Sequence, residues 1–328
     1  ESKALYGLVG FDLGQVNLTA EGRYSTDKRS IDISRFDRRT GLPVTPSRFT
    51  VSGKTSPENF NYTLSAGWKF RPEWLLYGKI GTAFRAGSFN TDLGDPRGRP
   101  ISLSYDDEKS TTYEAGLKGN PLPNVYTSLI AFRTRTRDAL VQQDNGCRAT
   151  NPACPVAATN FLTNAGTAEV DGVELEILYR TEFSWGGRLR ISGGVNKTNG
   201  KFVSGPDNGK KVPRLPDTSV KTDINYRQPI VGAFYGFVNA RLAAEYGGRQ
   251  EINPDIPIPF TLPNTQFRFA TLRDHEIWDV RAGISNGRTE VAVYADNFTN
   301  DHYVLFEAPA SNRLNTPRRW GVQVRQRF

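Results

Sequence analysis

The segment NFNYTLSAGWKF places Phe60, Tyr62, Leu64, Ala66, Trp68 and Phe70 on one side of an extended chain and Asn61, Thr63, Ser65, Gly67 and Lys69 on the other. A period of two kept that cleanly belongs to a strand with two unlike neighbours. The pattern recurs. Phe234, Gly236, Val238, Ala240, Leu242, Ala244 and Tyr246 oppose Tyr235, Phe237, Asn239, Arg241, Ala243 and Glu245. The same holds for Val220 to Tyr226 and for Trp278 to Ile284, and nine further strands centre near Leu8, Ala20, Ile80, Ala115, Leu129, Leu175, Ile191, Val293 and Val324. Thirteen strands are therefore expected, with register open near Leu8 and Leu129, where both faces are mixed.

Several apolar faces carry aromatic residues near both ends, as Phe60 and Tyr62 with Trp68 and Phe70. That spacing suits the roughly 9 to 11 residue tilted span of a membrane strand with interfacial aromatic girdles. The mean hydropathy of -0.52 is compatible with such a barrel, because only alternate residues of each strand need to be apolar. A spanning helix needs about 20 apolar residues, and the least charged stretch, Gln228 to Ala240, is shorter and broken by Pro229, Gly232 and Gly236. The 42 Lys and Arg, against 34 Asp and Glu, are scattered singly, many on polar faces, with only short clusters such as Arg35 to Arg39 as exceptions, so no nucleic-acid partner is expected.

The connections alternate in length. Short turns at Asp12–Gln15, Arg71–Glu73, Gly119–Asn124, Thr181–Gly187, Arg227–Gly232 and Asn286–Gly287 alternate with long stretches at 26–58, 86–107, 138–160, 200–216, 247–274 and 300–317. Tight periplasmic turns opposite long extracellular loops are the asymmetry of an outer-membrane barrel. With the last strand descending to Phe328, thirteen strands put Glu1 on the extracellular side. Single-chain bacterial barrels have an even strand number, so an incomplete barrel is expected.

Catalytic signatures are few. There is no GxSxG elbow and no HExxH, and GPDNGKK (Gly205 to Lys211) lacks the spacing and the following Ser or Thr of a phosphate loop. Glu174 and Glu176 alternate on a polar face and read as a solvated charge ladder rather than an acid–base pair. No enzyme activity, cofactor or metal site is expected, the two histidines, His275 and His302, lying far from the cysteines. Cys147 and Cys154, separated by six residues, either form a disulfide within one long loop in an oxidising compartment or stand as two thiols.

Seven segments, in order, resemble the C-terminal barrel region of TonB-dependent outer-membrane receptors: GLVGFDLGQVNLTAEGRYSTDKR, YGKIGTAFRAGSFN, STTYEAGLKG, VDGVELEI, VPRLPDTSVKTDINY, VYADNFTNDHYV and PRRWGVQVRQRF. The likeness covers nearly the whole chain from Leu5 to Phe328. It departs from the family at Gly87, where a proline is usual. The resemblance implies an all-β, antiparallel up-and-down transmembrane barrel of 22 strands, of which residues 1–328 are the C-terminal part, the plug and about nine early strands lying elsewhere. It implies uptake of a scarce nutrient, most often a ferric siderophore, powered through TonB. It also implies contact with the barrel assembly machinery, with lipid and with lipopolysaccharide.

Ligand contacts are expected from the long loops. Arg35, Phe36, Arg38 and Arg39, with Arg97, Arg99 and Tyr105, offer charge-assisted and stacking contacts to an anionic small molecule such as a ferric chelate, or else are solvated loop residues. NPDIPIPFTLPN (Asn253 to Asn264) is expected to be extended, as a vestibule lining or a strut. Phe328, a terminal aromatic on an alternating strand, resembles the assembly signal of outer-membrane proteins. The rival readings are a self-contained passive porin, favoured by a fourteenth strand near the N-terminus, and a secreted soluble β-protein that binds or hydrolyses glycans.

Overall fold

The computed structural model describes residues 1–34, 50–90, 104–144, 160–248, 274–308 and 311–328. β1 (Ser2–Leu13) and β2 (Val16–Asp27) form a hairpin, followed by a ribbon of β3 (Arg29–Ser34) and β4 (Thr50–Thr55). β5 (Glu58–Arg71) and β6 (Trp74–Arg85) make the next hairpin, with a short ribbon of β7 (Ser88–Phe89) and β8 (Ser104–Tyr105) beyond it. Next come β9 (Glu108–Leu122), β10 (Val125–Arg137), the ribbon β11 (Leu140–Asp144) and β12 (Asn160–Asn164), β13 (Ala168–Glu182) and β14 (Arg188–Phe202). The chain ends through β15 (Thr218–Val231), β16 (Phe234–Tyr246), β17 (His275–Ser285), β18 (Thr289–Asp296), the ribbon β19 (Val304–Ala308) and β20 (Ser311–Leu314), and β21 (Arg319–Gln326).

Thirteen of these form one antiparallel sheet in the order β1-β2-β5-β6-β9-β10-β13-β14-β15-β16-β17-β18-β21. They are the thirteen expected strands, each beside its predecessor. The sheet is not closed, β1 pairing only with β2 and β21 only with β18 among the described residues. Among the described residues no fourteenth strand joins it. Tight turns close the short-turn end with backbone in the left-handed region, as at Gly14 (φ 76°) and Gly287 (φ 84°).

Two expectations about the connections are corrected. Four of the six long stretches carry two-stranded ribbons instead of plain loops, so paired strand continues past the sheet on that side. β15 runs through Pro229 to Val231 and β9 through Pro121 to Leu122, so both strands enter segments expected as turns. Each prolongation carries a register irregularity where it meets its partner strand, which accommodates the proline.

Register assigns the faces. Leu76, Leu117, Leu129, Leu175, Val195, Val220 and Ala244 are successive direct partners across seven strands and form one apolar row. A second row runs Ala240, Val280 and Ala295 to Trp320. Among the described residues only eight apolar side chains are buried, and six of them are alanines. A soluble sandwich would have buried its aromatic and branched residues; here Leu129, Leu175 and Val293 remain 46, 38 and 58 % exposed. The apolar face is built for a lipid solvent. Its aromatic residues gather toward both ends, with Tyr24, Phe60 and Tyr113 near the long loops and Trp68, Phe70 and Trp74 near the short turns, the last three in successive ring contact at 5.5 and 6.5 Å.

The opposite face is polar and charged. Glu114 accepts a hydrogen bond from the Tyr77 hydroxyl at 2.6 Å and pairs with Lys79 at 2.8 Å, and Glu174 stands between Ile130 and Asn196. Aromatic rings on this side lie over glycines directly opposite them, Tyr77 over Gly116 and Phe132 over Gly172. Register near Leu129, open in the sequence, is settled by this packing: Leu129 faces outward and Phe132 inward.

Candidate functional site: the outer rim

The long connections are bound to one another rather than standing apart. At the start of β3, Arg29 donates from Nη2 to Asp27 at 2.7 Å and from Nη1 to the carbonyls of Ala86 and Gly87 at 3.3 and 3.2 Å. The Gly87 N–H donates to Asp107 Oδ1 at 2.8 Å, a bond that proline cannot make. A Cβ at Gly87 would fall 2.5 Å from the Tyr105 carbonyl oxygen. The departure from the family's usual proline is therefore matched to a local contact.

Asparagine side chains act as backbone mimics across the next gap. Asn90, 6 % exposed, donates to the Leu162 carbonyl at 2.9 Å and accepts from the Leu162 N–H at 2.8 Å. Asn164 donates to the carbonyls of Asp106 and Asp138 and accepts from the Asp106 N–H. Glu108 receives the Leu140 N–H at 2.6 Å. Beyond them Ala139, Ala165, Ala168 and Phe202 form a buried apolar cluster flanked by Val141 and Val212. The described parts of four connections thus share one packed block.

A second network braces the β19–β20 ribbon. Asn297 donates to the carbonyls of Asp301 and Thr316, and Asn315 donates to the Asp301 carbonyl and accepts from the Tyr303 N–H. The Tyr303 ring stacks on His275 at 3.7 Å between centroids and 8° between planes. Burial, and then the carboxylates of Glu245 and Asp301, raise the Tyr303 hydroxyl above its ordinary pKa.

Of the residues expected to touch ligand, Tyr105 is half-buried and pairs through its backbone with Ser88 on this rim. Arg35, Phe36, Arg38, Arg39, Arg97 and Arg99 lie outside the described residues, as do Cys147, Cys154 and the proline-rich segment 253–264. Phe328 lies two residues past β21, fully exposed at the short-turn end. Sequence reasoning passed over Arg29, Asn90 and Asn164, whose roles depend on partners up to 72 residues away. Among the described residues no group of three or more His, Cys, Asp or Glu is placed to hold a metal ion.

Comparison with known proteins extends this picture. The pattern described as TonB dependent receptor-like, beta-barrel, matches residues 1–300. A pesticin receptor of Yersinia pestis is 25 % identical over 284 residues, which are 85 % of this chain and 38 % of that protein. The chain therefore spans well under half the length of the curated relatives it matches. Among solved structures, the ferric yersiniabactin uptake receptor of Yersinia pestis superposes with a TM-score of 0.71 at 21 % identity, over 100 % of this chain and 45 % of the receptor. A siderophore receptor of Acinetobacter baumannii gives 0.66 at 17 % identity, over 98 % of this chain and 42 % of that one. On the match over residues 1–300, the chain belongs to the TonB-dependent receptor family and forms part of an outer-membrane β-barrel of that family.

Proposed function

We propose that this chain is the C-terminal wall of an energised outer-membrane importer whose cargo is a ferric siderophore. The observation that carries the reading is the asymmetry of the sheet, with tight turns at one end and a cross-linked rim of long connections at the other. A passive pore has no need of so elaborate an entrance. Two structural relatives, a ferric yersiniabactin uptake receptor and a siderophore receptor, favour iron. A copper transporter shares the fold at a TM-score of 0.69, and the uptake assay below discriminates the two cargoes. In this reading a plug and further strands complete the barrel, TonB supplies energy through that plug, and the protein is a carrier without catalytic chemistry.

Arg35, Phe36, Arg38, Arg39, Arg97, Arg99 and Tyr105 are proposed as ligand contacts, and Cys147 and Cys154 as a disulfide within the separate connection 138–160. Above the lipid-facing belt, Arg133 and Arg135 pair with Asp171 and Glu169, and Lys197 lies opposite Val173 on the same face. These outward cations suit the phosphates of lipopolysaccharide. The deciding experiment measures uptake of radiolabelled ferric siderophores by cells with and without the gene, and in a strain lacking TonB. Saturable uptake that disappears in both deletions is expected; uptake that persists without TonB returns the passive-pore reading.

Phe328 is proposed as the signal read by the barrel assembly machinery. Deleting it is expected to lower assembled receptor in outer membranes several-fold while synthesis, measured by pulse labelling, stays constant. Equal assembly with and without Phe328 sinks this role.

A further inference from the structure

The polar face carries one charge anomaly. Near the short turns, β13 to β18 enclose a concavity of about 610 Å³ lined by five arginines, Arg180, Arg188, Arg190, Arg227 and Arg281, against two carboxylates, Glu182 and Glu290. Arg188 chelates Glu182 at 3.1 and 3.4 Å, and Arg281 holds Glu290 at 2.5 Å. Arg227 lies over the Tyr235 ring at 4.4 Å. Arg180, Arg190 and Arg227 have no carboxylate partner among the described residues.

Register makes the excess more telling. Arg180 stands directly opposite Arg190, and Arg188 directly opposite Arg227. Like charges placed directly across a sheet destabilise it. The adjoining concavity on the same face avoids this, setting Arg241, Arg281 and Arg319 against Asp223, Asp279 and Asp296. Glu182 offsets only Arg188 of these four side chains, so the two pairs call for further counter-charge that the described sheet does not supply.

We propose that this surface docks a carboxylate-bearing polypeptide segment inside the barrel lumen, near its periplasmic mouth. Several guanidinium groups spread across neighbouring strands, about 4.8 Å apart, suit several carboxylates carried on one chain better than one small anion. The rings of Tyr235 and Phe237 border the same hollow and offer the aromatic contact typical of protein interfaces. The inference rests on the reading that further chain occupies the lumen.

The test uses the full-length receptor in native outer membranes, with a photo-crosslinking amino acid at Asn239, which lines the hollow between Asn225 and Arg281. Irradiation and mass spectrometry are expected to identify a peptide with two or more Asp or Glu residues. The crosslinked yield should fall at least fivefold when Arg180, Arg190 and Arg227 are all changed to Gln, and should persist when all three are changed to Lys. A crosslinked peptide without carboxylates, a yield unchanged in the Gln variant, or no peptide crosslink at all overturns the proposal. The uptake assay stands apart: uptake retained with no acidic crosslink removes this surface and leaves the importer. An arginine-dependent acidic crosslink without siderophore uptake does the reverse.

Discussion

Leu175→Arg is expected to destabilise the full-length receptor in liposomes by about 2–4 kcal/mol, because it sets a charge on the lipid face near mid-height of the wall. Leu175 lies directly between Leu129 and Val195 in the apolar row. Its chain neighbour points the other way. Glu174→Gln, on the polar face between Ile130 and Asn196, is expected to stay within about 0.5 kcal/mol of the parent. Urea titration of both variants in lipid vesicles measures the difference. Equal effects at the two positions would mean that the faces are wrongly assigned.

A second large loss is expected at Gly172. A Cβ there would enter the ring of Phe132, its direct partner on β10, and would press on the Lys197 carbonyl on the other side at 3.2 Å. Overpacking of this kind costs about 1–3 kcal/mol, so Gly172→Val should lower the urea midpoint clearly. The cause is testable by a double-mutant cycle, since Phe132→Ala vacates the space the new side chain needs. The pair should lose less than the sum of the two singles. Additive losses would show that the ring and the glycine are independent, and the same logic extends to Tyr77 over Gly116.

The wall itself was legible because its signal is local. Each strand repeats its alternation over 8 to 15 residues, long enough for chain order and faces to be read before any pairing is known. Where both parities were apolar the sequence alone left the register open: Ile130 and Phe132 compete with Leu129 and Ala131, and only the glycine at 172, across the sheet, shows why a ring can turn inward there. The rim was less legible for the same reason. Arg29, Asn90 and Asn164 are ordinary polar residues until their partners 58, 72 and 58 residues distant are brought beside them. The opposed arginines were equally hidden. Arg180 and Arg190 sit at unremarkable places on their strands, and the conflict between them exists only once the pairing is fixed.

The open edges carry a directional consequence. β1 runs toward the short-turn end, entering the tight turn at Gly14, and β21 runs the same way, with the Arg327 N–H reaching the Arg288 carbonyl beside the last short turn. Sealing one edge directly on the other would join co-directional strands, a parallel seam in a wall that is antiparallel throughout its described length. The bonds of such a seam would be slanted and its pairing weaker per residue. An odd number of interposed strands removes that mismatch, and nine, the difference between these thirteen and the 22 that the family resemblance implies, is such a number.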